Sequence, residues 1–69
     1  MNVGYVICCN DSVEAVVVDD EKLAKKELER LAKKHYDSFF ELTHPMETYV
    51  AYRRQHYWHI HSVPILVGE

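Results

Sequence analysis

Val3-Gly4-Tyr5-Val6-Ile7-Cys8-Cys9-Asn10-Asp11-Ser12-Val13-Glu14-Ala15-Val16-Val17-Val18 is the stretch on which the fold turns. Its two runs rich in Val, Ile and Tyr, Val3 to Cys9 and Val13 to Val18, flank Asn10-Asp11, residue types that accept the left-handed backbone of a tight turn. A β-hairpin is predicted. With that turn Cys8 opposes Val13, Val6 opposes Ala15 and Gly4 opposes Val17, a small apolar face suited to lie beneath a helix. Val3, Tyr5, Ile7, Cys9, Val16 and Val18 fall on the reverse, with Ser12 and Glu14 near the turn.

Downstream, Asp19, Asp20 and Glu21 supply an N-cap and first-turn acids for a helix over Lys22 to Phe40, about five turns long. Ala24, Leu28, Leu31, Ala32, His35 and Phe39 fall within one arc of roughly 100°, opposite Lys22, Lys26, Arg30 and Lys33. Pro45 ends the helix near Glu41 to Thr43, since it disfavours a helical His44 and lacks a backbone donor.

Thr48 to Arg53 and His56 to Val63 read as a second hairpin around Arg54-Gln55, although that dipeptide is not a favoured turn. Pairing Tyr52 with Tyr57 groups Val50, Tyr52, Tyr57, His59, His61 and Val63 on one face, and Tyr49, Ala51, Trp58 and Ile60 on the other. The second set is the more apolar and is assigned to the helix side. The expectation is therefore one α+β domain over residues 1–69, in ββαββ order, with a mainly antiparallel sheet and one long helix on one face.

Length and composition limit what such a domain does. A chain of 69 residues, 48% hydrophobic and of formal charge -3, buries only about 60% of its unfolded surface. A core of this size supplies about 3–5 kcal/mol unless a staple, a metal or a partner adds to it. The adjacent Cys8 and Cys9 point to opposite faces of a strand, which suits reduced thiols rather than a disulfide scaffold. Met1-Asn2 provides no basic leader, Val3 to Cys9 is too short for a signal core, and no apolar run approaches ~18 residues, so a cytoplasmic protein without a membrane role is expected.

No chemical signature completes itself. His59 and His61 share a strand face within reach of one metal ion, but the further candidates His44, Cys9 and His35 lack finger-like spacing, so no metal site and no cofactor are assigned. His35 reads as a buried neutral imidazole with one hydrogen-bond partner near a helix C-terminus. Gly4 and Gly68 offer no phosphate-cradling loop, and Ser12, Ser38 and Ser62 stand in no nucleophile elbow, so no catalytic residue is assigned and an enzyme is not expected.

One helix cannot cover a sheet that is apolar or aromatic on both faces. The leading expectation is a non-enzymatic interaction protein that pairs with itself or docks on a larger protein through Tyr5, Ile7, Tyr52, Tyr57 and His59. Folding of the tail, Val63 to Val67, over that face is the internal alternative. A nucleic-acid regulator using Lys22, Lys26, Arg30, Arg53 and Arg54 is the second reading; interleaved Glu21, Glu27 and Glu29 weaken it, and nucleic acid is not expected as the main ligand. A metal or redox module at the histidines and cysteines is the third.

Overall fold

Asn10 adopts the left-handed backbone expected of it, with φ of 54°, and joins β1 (Asn2–Cys9) to β2 (Ser12–Val18) as an antiparallel hairpin. The computed structural model describes residues 2–66; beyond the hairpin it contains α1 (Glu21–His35), a π-helical turn (Tyr36–Phe40), α2 (Glu41–Thr43), α3 (Tyr49–Gln55) and β3 (Trp58–Ile65). The strands form one antiparallel sheet in the order β2-β1-β3, so the class is α+β, with three strands rather than the expected four.

The hairpin register carries the first correction. Cys8 pairs with Val13 as predicted, but Ile7 then pairs with Ala15 and Val6 with Val16, leaving Glu14 as an extra residue. Such a bulge shifts the side-chain parity of one strand against the other. Ala15 and Val17 face the helix as expected, but they share that face with Tyr5, Ile7 and Cys9 rather than with Gly4, Val6 and Cys8. The larger side chains of β1 thereby reach the core, and Val6 and Val13 lie on the reverse.

Asp20 is the N-cap of α1, its carboxylate accepting from the Leu23 N–H at 2.9 Å. Asp19, at φ of 59°, does different work: its carboxylate accepts from the Val3 N–H and its own N–H donates to the Val3 carbonyl, both at 2.8 Å, closing the open end of the hairpin. Ala24, Leu28 and Ala32 are buried as the helical spacing predicts. The stripe then departs from prediction. The Glu41 N–H donates to the Tyr36 carbonyl, five residues back, and a π turn takes about one residue more than an α turn. Tyr36 and Phe40 (5% exposed) consequently enter the core, whereas Phe39 is 64% exposed.

The second hairpin is the largest correction. Tyr49–Gln55 is helical, and β3 pairs with β1, not with a neighbour from Thr48 to Arg53. Thr48 caps α3, its Oγ1 accepting from the Ala51 N–H at 3.1 Å, and the wheel sends Tyr49, Tyr52 and His56 inward. Aromatic residues favour strands only where a pleated face is available to receive them. Here β1 is already filled by β2 and β3, and the rings gain more by packing edge-on against Tyr36 and Phe40, at centroid distances of 5.5 and 5.1 Å from Tyr52. Arg53 ties α3 to α1 through Glu29 at 2.8 Å.

Candidate functional site

The helix-facing side of the sheet is closed by Ile7, Cys9, Leu28, Ala32, Tyr36, Phe40, Tyr52 and Trp58. Tyr52 is fully buried, yet its hydroxyl is satisfied: it accepts from Trp58 Nε1 at 3.0 Å and lies 2.6 Å from His35 Nδ1. The indole can only donate, so the phenol oxygen accepts from it; His35 is half-buried rather than buried as expected, with the Tyr52 hydroxyl as its hydrogen-bond partner. Burial pushes the Tyr52 phenol up from its usual range, only partly opposed by the indole bond. Burial also raises the Cys9 thiol, with Glu14 adding to the effect, which keeps Cys9 protonated and poorly nucleophilic at neutral pH.

A cleft of about 310 Å³ opens beside this network, lined by His35, His44, His56, Phe39, Phe40, Thr43 and Gln55. Its histidines are engaged: His44 stacks on Phe40 at 4.4 Å and bonds Thr43 Oγ1, and His56 Nδ1 donates to the Tyr52 carbonyl at 3.2 Å. They complete the packing of α2 and α3.

Among the described residues no helix lies over the opposite side of the sheet. Alternation along the paired strands places Gly4, Val6 and Cys8 of β1, Val13, Val16 and Val18 of β2, and His59, His61, Val63 and Ile65 of β3 on this side. Val13, Val16 and Val18 are 65%, 53% and 51% exposed. A Cβ added to Gly4 falls 2.8 Å from Ile65 Cδ1 and 3.3 Å from Val63 Cγ2, so the glycine lets β3 side chains lie flat across β1. Val63 and Ile65 belong to β3 itself and Leu66 is exposed, so the tail does not fold back over the face as far as it is described; Val67 lies outside the described residues.

Three polar side chains stand together at one end of this face. Cys8 and His59 are directly paired across β1 and β3, His61 follows on the same side, and one ligand atom from each lies within 4.8 Å of the others. Asn10 positions this end. Its N–H donates to the Tyr57 carbonyl at 2.7 Å, its side-chain oxygen accepts from the Tyr57 N–H at 3.0 Å, and its carbonyl lies 2.9 Å from His59 Nε2. Sequence alone found the histidine pair but looked to Cys9 for help; the register assigns that place to Cys8.

Of the five residues expected to bind a partner, Ile7 and Tyr52 are fully buried in the core, and Tyr5 lies half-buried on the helix side in a cleft with Glu21, Lys25 and Ile60. Tyr57 and His59 stay on the uncovered side, their rings stacked at 4.4 Å. Of the basic residues, Lys22, Lys26 and Arg54 are exposed, whereas Arg30 is bonded to Glu27 and Arg53 to Glu29, each at 2.8 Å. No helix among the described residues is long and apolar enough to cross a membrane. No protein-family model, curated protein or solved structure matches the chain.

Proposed function

We propose that this is a small non-enzymatic interaction protein that pairs with a second copy of itself through the uncovered face of its sheet, in the reducing setting of the cytoplasm. The observation that carries the reading is the composition of that face: Val6, Val13, Val16, Val18 and Val63 around Gly4, with no Asp, Glu, Lys or Arg among its described residues. A chain of charge -3 repels its own copy through any acidic surface, and this face brings no like charges together. A charged partner, conversely, finds no counter-ion there. Flat β-branched faces pack on one another as sheets do in sandwiches, and a two-fold pair closes without exposing a further copy of the patch.

Size sets the strength. Three strands about 4.8 Å apart and seven or eight residues long, at ~3.3 Å per residue, present a footprint of roughly 400 Å² per copy. That is at the low end for specific interfaces, which corresponds to micromolar pairing rather than an obligate dimer. A dilution series of two-dimensional amide NMR spectra tests the reading. Concentration-dependent shifts are expected at Val6, Val16, Val18 and His61 and not at Lys26. Spectra that do not change with concentration, or changes confined to α1, count against it.

A further inference from the structure

We propose that Cys8, His59 and His61 form a three-ligand site for a borderline-soft divalent cation of the zinc type, its fourth position open to solvent or to a further ligand. Three observations converge on it. The first is chemical: one sulfur and two imidazole nitrogens are the donor set that zinc-like ions take in preference to hard, oxygen-seeking cations. The second is geometric. Tetrahedral bonds of about 2.0–2.1 Å to nitrogen and 2.3 Å to sulfur set ligand atoms roughly 3.3–3.6 Å apart. The three atoms already lie within 4.8 Å of one another, so side-chain rotations that draw them in by about an ångström complete the site without moving β1 or β3.

The third observation is the orientation of His59. The Asn10 carbonyl can only accept, so His59 Nε2 carries the proton and Nδ1 keeps the lone pair. A backbone carbonyl behind a ligating imidazole is the outer-shell arrangement that fixes tautomer and ring direction at metal centres. The surroundings agree. These are the titratable side chains of an otherwise valine- and glycine-rich face, gathered at the end that Asn10 holds. Cys8 is buried, His59 half-buried and His61 exposed, which leaves the site accessible from the His61 side. On binding, the Cys8 thiol gives its proton to solvent as the sulfur–metal bond forms, and both imidazoles bind neutral.

The site lies within one chain and does not rest on self-pairing, so it is tested at chain concentrations far below those of association. Co²⁺ added to the reduced protein should produce a thiolate-to-cobalt charge-transfer band that saturates at one ion per chain, and Zn²⁺ should displace it. Cys8→Ser should abolish the band. His61→Gln should weaken Zn²⁺ binding by at least the roughly 10–100-fold that loss of an outer-shell partner costs. His61 is exposed, so its replacement leaves the fold intact, which circular dichroism of the metal-free chain verifies. Cys9→Ser and His44→Gln, where folded, should keep both the band and the affinity. A wild-type chain without the band, or Zn²⁺ affinity unchanged in Cys8→Ser and His61→Gln, overturns the proposal.

Discussion

The two faces of the sheet are built from the same three strands and differ in what their side chains ask of a partner. Toward the helices stand Tyr5, Ile7, Cys9, Trp58 and Ile60, with Ala15 and Val17 leaving room for the rings of Tyr36, Phe40 and Tyr52. Away from them stand valines, an isoleucine, a glycine, a cysteine and two histidines. Both faces are apolar, yet one interlocks with aromatic rings from the helices and the other carries mainly β-branched side chains around a glycine. Apolar character alone therefore does not tell which face is the core; side-chain size and the polar groups that must be satisfied do.

The comparison breaks most severely at Tyr52. Truncation to Ala should cost about 3–5 kcal/mol, as much as a core of this size supplies, so Tyr52→Ala should be largely unfolded by far-ultraviolet circular dichroism. Phe40→Ala and Phe39→Ala sharpen the role of the π turn. Losing the buried ring should cost about 3–5 kcal/mol and leave Phe40→Ala largely unfolded as well, whereas Phe39→Ala should stay folded and lose under about 0.5 kcal/mol in urea unfolding. Equal losses contradict the phase shift.

That neighbouring pair also marks where the sequence stops being legible. The hairpin, the Asp20 cap, the stripe through Ala32 and the end of the helix before Pro45 follow from local chemistry, because each is decided within a few residues. The π turn and the bulge at Glu14 each displace the pattern by one residue, and nothing in the local composition announces them; both exist because they bring larger side chains to the core. Tyr49 to Tyr52 misleads for a related reason. Its residues favour a strand until β3 occupies the edge of β1, and the one local sign of a helix is Thr48 without an acidic partner three residues on. At the candidate site the histidine pair is visible in the sequence, whereas the choice between Cys8 and Cys9 depends on the register.

Tyr52→Phe isolates the polar contribution beneath the helices. Removing the hydroxyl leaves Trp58 Nε1 without its acceptor and His35 Nδ1 without this partner, and should cost about 1–3 kcal/mol while the fold persists. Stability should also respond to alkali. Because burial raises the Tyr52 phenol in the folded chain, the stability it contributes is present below the unfolded value of about 10 and is lost as pH rises beyond it. Tyr52→Phe should show a shallower decline above that pH, measured as the urea midpoint against pH.

At the exposed valines of the uncovered face substitutions should leave stability almost unchanged and alter association instead. Val16→Glu replaces a half-exposed side chain and should shift the urea midpoint by less than about 0.5 kcal/mol, and Lys26→Glu should alter neither stability nor association.

Sedimentation equilibrium of the wild type and Val16→Glu compares the two faces most directly. With metal excluded, the wild-type mass should rise from 8.2 kDa toward twice that value as concentration passes through the range of about ten to several hundred micromolar. Val16→Glu should remain at 8.2 kDa throughout while keeping its fold. A wild-type chain that stays single across that range, or a Val16→Glu chain that associates equally well, would contradict the account.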